Sequence, residues 1–285
     1  MRFTLWTLIQ MYTNFNNQKI NFVIVGKPNS GKSTLFNKFL KKEISPTGET
    51  YGLTKELFEQ KFSFNDVDFI IHDTPGLRRK NKISDKDEES RNKKVVKLLE
   101  KIDAAILLID STENITRQDF KIADTIMRRK KLLFFVFNKI DLLDDKNNFK
   151  KKIKDFLNFR YSHSKEINTS FISALSGNKI LDLLNEMIKK NKLCSYKIKK
   201  SNLNNFIKKL SKDSKLPKIK NIQIKPKYIV QIDSNIPRFK IFINSKKKAP
   251  NSFIRYFDNE FRKYFSLNGI PINMKYISSD NPYVD

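Results

Sequence analysis

A glycine-rich run at residues 26–33, Gly-Lys-Pro-Asn-Ser-Gly-Lys-Ser, constrains this chain more than any other feature of its sequence. The run follows an apolar, β-rich segment at 20–25 and precedes an amphipathic pattern at 32–40, so we expect a strand, a loop and a helix in that order. Such a loop directs backbone N–H groups and a helix N-terminus at one point, which makes a site for anions. The sequence therefore predicts a site for the phosphates of a nucleotide.

Each position of this loop has a residue type that suits contact with phosphate. Gly26 and Gly31 allow the turn and let the backbone approach the phosphates closely. Lys32 is expected to reach the β- and γ-phosphates, and Ser33 is expected to place its hydroxyl on Mg²⁺. The other residues that we expect to contact the nucleotide here are Asn29, Ser30 and Thr34.

A second motif, Asp73-Thr-Pro-Gly76, follows a buried-strand pattern at 68–72. Asp73 is expected to hold Mg²⁺ through water, and the backbone N–H of Gly76 is expected to contact the γ-phosphate and to lose that contact on hydrolysis. A threonine between the two motifs should complete the Mg²⁺ shell. We expect Thr54, which comes just before the next strand pattern, and Thr50 remains the alternative. The predicted metal ligands are thus Ser33, Thr54 and Asp73.

Two further motifs point to the base of the nucleotide. Asn138-Lys139-Ile-Asp141 follows a buried-strand pattern at 132–137. A carboxylate at Asp141 can accept two hydrogen bonds from the guanine N1–H and amine, and adenine offers no such pair of donors. We expect Asn138 and Lys139 to brace the loop and cover the base, and the backbone of Ser173-Ala174-Leu175 to contact the guanine. The chain is therefore expected to bind GTP and GDP rather than ATP.

With these motifs in this order, the chain resembles the Era-like GTPases and, among them, the Der (EngA) family. The basic run Leu77-Arg-Arg-Lys-Asn-Lys-Ile83 is similar to the basic stretch associated with the second GTPase domain of that family. The C-terminal part is similar to the family's KH-like domain at Leu216-Pro217, Lys225, Lys227-Tyr228, Gln231, Ser252-Phe-Ile-Arg-Tyr256, Phe261-Arg-Lys263, Gly269-Ile-Pro271-Ile272 and Asn281-Pro282. The resemblance extends over about residues 19–283. It implies a P-loop GTPase domain followed by a small KH-like domain.

The chain departs from the family pattern in several places. The family has two GTPase domains in tandem, and this chain matches the second of them. The family's Arg-rich stretch is replaced by Lys220-Asn-Ile-Gln-Ile-Lys225, and Pro226 stands where a strand would use an N–H group. The RNA-clamping Gly-x-x-Gly of KH domains is missing after residue 200. The sequence leaves open whether another polypeptide supplies a first GTPase domain or whether the chain is a fragment.

Strand and helix patterns alternate through residue 190, which predicts a doubly wound α/β fold with its ligand at the carboxyl ends of the strands. One of these helices is expected at 92–101. The following patterns are helix, strand, strand, helix and strand, which predict a small α/β KH-like domain whose first strand is expected at 222–231. The expected divisions are an unassigned N-terminal segment at 1–18, a GTPase domain at 19–191, a basic linker at 192–200 and a KH-like domain at 201–285.

The net charge of +27 is unevenly distributed along the chain. Residues 192–285 hold 21 Lys/Arg and 6 Asp/Glu, a net of +15, whereas residues 1–191 hold a net of +12 over twice the length. This excess favours RNA as a partner, and a solvated Lys-rich surface is the alternative. Cys194 is the only cysteine, so the chain has no internal disulfide, and a reducing cytoplasm is the expected compartment. No apolar run is long enough to span a membrane.

These features predict a switch that hydrolyses GTP with Mg²⁺ and, from the family resemblance, assists assembly of the large ribosomal subunit on ribosomal RNA. Leu77 stands where Ras-like switches have a water-orienting Gln, so we expect slow intrinsic hydrolysis. The resemblance implies a K⁺ ion held in part by Asn29, which would supply charge beside the phosphates. The alternative for Asn29 is a bond to its own loop. The residues expected to act in catalysis are Lys32, Asn29, Thr54 and Gly76.

Two other functions stay open at this point. One is a GTP- or RNA-binding module without useful turnover. The other is an Era-type GTPase that acts on the small ribosomal subunit. The absent Gly-x-x-Gly and the run Arg78-Arg79-Lys80 argue against this last function.

Overall fold

The computed structural model describes residues 18–40, 59–72, 98–161, 167–212, 216–219, 222–232, 236–245 and 248–278. The N-terminal two thirds of the chain alternate between strands and helices. The elements are β1 Gln18–Val25, α1 Lys32–Leu40, β2 Glu59–Phe64, β3 Val67–His72, β4 Ala104–Asp110, α2 Arg117–Arg128, β5 Leu132–Asn138, α3 Lys146–Arg160, β6 Asn168–Phe171 and α4 Ile180–Cys194. A short 3-10 helix, Ile140–Leu142, follows β5.

The first six strands form one sheet in the order β2-β3-β1-β4-β5-β6. Strand β2 pairs antiparallel with β3, and the other pairs are parallel. Strand β1 lies between β3 and β4, so the chain changes direction across the sheet there. A crevice at the carboxyl ends of the strands is expected at such a point. The predicted doubly wound α/β fold is confirmed.

The central strands are apolar along their whole length because both faces of the sheet are covered. Every residue of β4 and β5 is buried. Alternate residues of these strands enter two separate apolar clusters, one with α1 and α4 and the other with α2 and residues of α3. This is the pattern that a parallel sheet between two helical layers imposes on its sequence.

The C-terminal part forms a second, smaller α/β unit. Its elements are α5 Lys200–Ser211, β7 Lys218–Ile219, β8 Ile222–Gln223, β9 Pro226–Ile232, β10 Arg238–Ile243, α6 Asn251–Phe265 and β11 Asn273–Ser278. Three strands form a sheet in the order β11-β10-β9, in which β10 is parallel to β11 and antiparallel to β9. The aromatic side chain of Phe206 on α5 contacts Phe257 and Phe261 on α6, and Phe261 contacts Phe239 on β10. The two helices therefore pack on one face of this sheet.

The structure corrects some predicted element boundaries. The strand expected at 222–231 is two elements, because β8 pairs only with β7 in a short hairpin and β9 begins at Pro226. A proline is tolerated as the first residue of a strand, and the pairing register shifts opposite it, between Phe242 and Ile243. Helix α4 continues to Cys194, so the segment between α4 and α5 is 195–199 rather than 192–200. Of the helix expected at 92–101, the described part is 98–101.

Side-chain hydrogen bonds among the described residues join the two units to each other and to the segment 195–199 between them. The side-chain amide of Asn168, in β6, donates to the carbonyl oxygens of Leu133 at 3.0 Å and Gly269 at 2.9 Å. Lys190 donates to the carbonyl of Asn268 at 2.9 Å. The side chain of Gln231 accepts from the N–H of Ile198 and donates to the carbonyl of Tyr196, both at 2.8 Å. One apolar cluster also continues from the large sheet into the second unit.

The thiol of Cys194 lies in this shared core, where burial raises its pKa to about 12. At neutral pH it is a protonated, inaccessible thiol, so it is a poor nucleophile. No helix among the described residues is long and apolar enough to cross a membrane.

Candidate nucleotide-binding site

The loop between β1 and α1 has a backbone that only glycine can adopt at two positions. Gly26 has φ +145° and Gly31 has φ +93°. A Cβ atom on Gly26 would lie 2.2 Å from the carbonyl oxygen of Leu108, and one on Gly31 would lie 2.2 Å from Nδ2 of Asn138. Asn29 is also left-handed, with φ 65°, which asparagine tolerates better than most residues. The predicted glycines are thus required by the fold of the loop itself.

Lys32 is the first residue of α1, and its ammonium group bends back over the loop. Its Nζ donates to the carbonyl oxygen of Gly26 at 2.9 Å and to that of Lys27. The hydroxyl of Ser30 also donates to the carbonyl of Lys27, at 3.0 Å. These bonds hold a positive charge against the phosphate loop.

The N-terminus of α1 is open to a ligand. Ser33 and Thr34 are exposed in its first turn, and that turn has no acidic residue. A helix N-terminus without a nearby carboxylate attracts anions. The loop, the Lys32 ammonium and this helix end together fit the phosphates of a nucleotide, and the hydroxyl of Ser33 fits the role of an oxygen ligand for Mg²⁺.

Asn138 connects the phosphate loop to a second loop. It is the last residue of β5, and 2% of its surface is exposed. Its Nδ2 donates to the carbonyl oxygen of Ser30 at 2.9 Å, and its Oδ1 accepts from the N–H of Ala174 at 2.8 Å. The side chain therefore joins the loop after β1 to the Ser173-Ala174-Leu175 loop after β6. The predicted bracing role of Asn138 has a definite geometry.

Lys139 adopts a left-handed backbone with φ 63° and forms an ion pair with Asp110. Asp110 is buried at the end of β4 and accepts hydrogen bonds from the N–H of Thr112 at 3.0 Å and from its hydroxyl at 2.8 Å. Burial pushes the pKa of Asp110 upward, but the bonds from Lys139 and Thr112 outweigh it and hold the pKa below its usual value. Asp110 is thus an anion that positions Lys139.

Asp141 lies in the short 3-10 helix and is exposed, whereas its neighbour Ile140 is buried. The N–H of Ile140 donates to the carbonyl of Ile172 at 3.3 Å, so this turn is fixed to the end of β6. In the adjoining loop Ser173 is buried, and its hydroxyl accepts from the N–H of Ser176 at 3.3 Å. Leu175 is 79% exposed. The carboxylate of Asp141 is therefore presented to solvent from a turn that buried groups hold in place.

Sequence analysis missed two positioning residues at this site. One is Asp110, and its signal was an acidic residue at the carboxyl end of a buried strand beside β1 and β5. The other is Lys27, whose Nζ lies 3.4 Å from the buried Asp119 carboxylate. That carboxylate also accepts from the N–H and hydroxyl of Thr116 at the start of α2. The phosphate loop is therefore fixed to α2 by a pairing that no motif indicated.

Several predicted site residues lie outside the described residues. They are Thr50, Thr54, Asp73, Gly76, Leu77, Arg78, Arg79 and Lys80. Of the predicted metal ligands the structure therefore places Ser33 alone. Among the described residues no group of three or more His, Cys, Asp or Glu side chains could hold a metal ion.

Comparison with known families agrees with this geometry. A family described as 50S ribosome-binding GTPase matches residues 21–139. A second, described as the C-terminal KH-domain-like region of EngA bacterial GTPase enzymes, matches residues 197–276. The chain thus combines a GTPase domain with an EngA-type KH-like domain, in that order.

Within this class, the curated relatives are proteins called GTPase Der. The one from Rickettsia prowazekii (strain Madrid E) is 32% identical over 95% of this chain and 61% of its own length. The one from Hyphomonas neptunium (strain ATCC 15444) is 28% identical over 94% of this chain and 52% of its own length. The resemblance to the Der family is therefore confirmed, and the chain spans between one half and two thirds of the length of these relatives.

Among solved structures, Era in complex with MgGDPNP and nucleotides 1506-1542 of 16S ribosomal RNA covers 92% of this chain and 93% of its own. The two are 22% identical with a TM-score of 0.49, which is too distant to bear on function.

Replacing Asn138 by alanine should weaken both the fold and nucleotide binding. The change leaves the Ser30 carbonyl and the Ala174 N–H without their partner, and an unpaired buried polar group costs about 1–3 kcal/mol. We expect the free energy of unfolding to fall by about 2–4 kcal/mol and GDP affinity to fall at least tenfold. Chemical denaturation and GDP titration measure the two effects.

Two matched variants make this test specific. Asn138→Asp keeps the acceptor for Ala174 but sets a buried carboxylate oxygen against the Ser30 carbonyl oxygen, so its loss of stability should be at least as large as that of Asn138→Ala. Asn148→Ala removes an exposed asparagine side chain in α3 and should change neither quantity. Unaltered GDP affinity in Asn138→Ala would show that the two loops do not depend on this bridge.

Proposed function

We propose that the chain binds GTP and GDP and hydrolyses GTP in the presence of Mg²⁺. The observation that carries the proposal is the Asn138 bridge, which sets the phosphate loop and the guanine-contacting loop against one another. The match of residues 21–139 to a GTPase family supports the same reaction. Because the chain spans only part of its curated relatives, this activity is a proposal for the chain itself.

Each described residue of the site has a distinct role in this proposal. Lys32 and the N-terminus of α1 would bind the β- and γ-phosphates, and Ser33 would hold Mg²⁺, whose charge would offset that of the transferred phosphoryl group. Asp141 accepts from the guanine, and Lys139, held by Asp110, covers the base. Hydrolysis proceeds by in-line attack of water. In this proposal Thr54 and Asp73 complete the Mg²⁺ shell and Gly76 contacts the γ-phosphate.

A K⁺ ion beside the phosphates is also part of this proposal. Asn29 is exposed at the tip of the loop, and no described residue accepts or donates a bond to its side chain. A cation there would offset negative charge that develops as the phosphate bond breaks. Leu77 stands where a hydrogen-bonding side chain would otherwise orient the attacking water. Hydrolysis therefore depends more strongly on a cation that stabilises the developing negative charge.

We further propose that the chain assists assembly of the large ribosomal subunit in the cytoplasm and that ribosomal RNA is its partner. The family matched at residues 21–139 is described as 50S ribosome-binding, and the relatives are called GTPase Der. The net charge of +15 over residues 192–285 supports a polyanionic partner. A binding module without turnover and a small-subunit GTPase remain the competing functions.

The chain should prefer guanine nucleotides, and Asp141→Asn should redirect that preference toward xanthine nucleotides. Guanine offers two donors to the Asp141 carboxylate, and hydrogen bonds to a charged group contribute about 1.5–3 kcal/mol each. We therefore expect GTP affinity to fall about 100-fold in the variant, while XTP affinity rises. Isothermal titration with GTP, ATP and XTP measures this. Asp144→Asn, an exposed carboxylate nearby in sequence, is the control. Equal affinity of the unmodified chain for ATP and GTP would contradict the proposal.

Steady-state hydrolysis should require Mg²⁺ and should rise when K⁺ replaces Na⁺. Lys32→Ala removes the phosphate-facing cation, so we expect turnover to fall by about 10²–10³-fold and nucleotide affinity to fall with it. Asn29→Gly removes the side chain without straining the left-handed backbone, so GDP affinity should persist while K⁺ stimulation disappears. Stimulation that survives Asn29→Gly would exclude this side chain from cation binding. Absence of turnover under all conditions would favour the binding module.

Cosedimentation separates the ribosomal alternatives. We expect the chain to pellet with large subunits rather than small subunits at moderate salt, and more with a non-hydrolysable GTP analogue than with GDP, because a switch needs different affinities in its two states. Binding through phosphates should also weaken as salt rises. Pelleting with small subunits would indicate the Era-type function. Equal pelleting in both nucleotide states, matched by any RNA, would indicate charge attraction alone.

A further inference from the structure

The small three-stranded sheet has one face that no described element covers. Helices α5 and α6 pack on the inner face, and the outer positions alternate with the buried ones. We call the outer positions the open sheet face: Tyr228, Val230 and Ile232 on β9, Arg238, Lys240 and Phe242 on β10, and Asn273, Lys275 and Ile277 on β11. The three residues of β9 are 46%, 42% and 38% exposed. These values are high for large apolar side chains at consecutive outward positions of a strand.

An aromatic pair lies at one end of this face. Tyr228 and Phe242 are opposite each other in the register of β9 and β10. Their rings are stacked, with centroids 4.1 Å apart and planes at 14°. Tyr228 is exposed and Phe242 is half-buried, so the pair offers an aromatic surface on which an unpaired base can stack, whatever its identity.

Positive charge lies beside the aromatic pair. Lys240 is directly opposite Lys275 in the pairing of β10 and β11, and both are exposed. Arg238 lies two residues before Lys240 on β10 and belongs to the same face. None of the nine outer positions is acidic. Like charges directly opposite in a sheet are destabilising, so this arrangement is best relieved by a bound anion.

We propose that the open sheet face binds single-stranded RNA, with bases on the Tyr228–Phe242 pair and phosphates at Lys240, Lys275 and Arg238. This inference rests on the RNA partner of the proposed function and gives that partner a location. The unit lacks a Gly-x-x-Gly clamp, so its RNA contacts need another surface. An aromatic pair next to cations has the chemistry that single strands require, and the apolar row of β9 extends the surface for bases.

Binding is tested by fluorescence anisotropy with a labelled single-stranded oligoribonucleotide, and a duplex of the same sequence serves for comparison. The full chain is saturated with GDP so that the nucleotide site does not take part. Tyr228→Ala should weaken single-strand binding about tenfold, since stacking contributes about 1–3 kcal/mol per base. Tyr228→Phe keeps the ring and should bind within about twofold of the unmodified chain. Lys240→Ala should lower the slope of log affinity against log salt by about 0.7.

Matched variants on α3 supply the controls. Phe159→Ala removes a ring that is 84% exposed, and Lys151→Ala removes an exposed cation. Neither should change affinity for the single strand by more than about twofold. Melting temperature is recorded for every variant, and the exposed positions should leave it close to that of the unmodified chain.

The outcomes separate this inference from the proposed function. Equal losses at Tyr228 and Phe159, or at Lys240 and Lys151, would overturn the inference and leave charge attraction alone. Cosedimentation with large subunits that is unaffected by Tyr228→Ala and Lys240→Ala would also overturn it, and the proposed function would stand. A concentration-dependent dimer that Tyr228→Ala abolishes, without any effect on RNA, would show that the face binds a second copy. Failure of the unmodified chain to bind any RNA would contradict both this inference and the RNA partner of the proposed function.

Discussion

The side-chain amide of Asn138 is the contact on which the nucleotide site depends. It is buried, and both of its polar ends are engaged, one with the carbonyl of Ser30 and the other with the N–H of Ala174. Loops after three different strands, β1, β5 and β6, are thereby fixed relative to one another. The close approach also explains Gly31, because a Cβ there would lie 2.2 Å from the Asn138 amide nitrogen. One hydrogen-bonding side chain thus sets both the spacing of the loops and the identity of a residue 107 positions away.

Ion pairs with buried carboxylates reinforce this arrangement. Lys139 pairs with Asp110 at the end of β4, and Lys27 pairs with Asp119 at the start of α2. A buried carboxylate is costly unless it is paired and hydrogen-bonded, and each of these also accepts two bonds from a threonine. The lysines are consequently held in defined positions. Preorganisation of this kind lowers the entropic cost of ordering the site around a ligand.

The parts of this fold that sequence predicts are those with a local signal. Strands β4 and β5 read as apolar runs because both their faces are buried, and the phosphate loop reads as a motif because its backbone needs glycine at 26 and 31. Lys27 gave no such signal, and for Asp110 the sequence showed only an acidic residue at the end of a buried strand, because both residues act through partners that the sheet brings near. The division of segment 222–231 into β8 and β9 was also missed, because it depends on which strand each part pairs with. The first strand residue, Pro226, is acceptable only because the register of β9 against β10 shifts beside it.

The second unit is fixed to β6, the strand that leads into the Ser173-Ala174-Leu175 loop, where we propose that guanine binds. Asn168 opens β6 and donates to Gly269 of the second unit, and β6 ends shortly before Ser173. Lys190 adds a bond to Asn268, Gln231 bonds to the segment 195–199 between α4 and α5, and the apolar cluster continues through the junction. A rotation of the second unit against β6 would break these bonds and expose part of that cluster, at about 0.5–1.5 kcal/mol for each neutral hydrogen bond alone. The loop at residues 173–175 and the open sheet face therefore belong to one packed body.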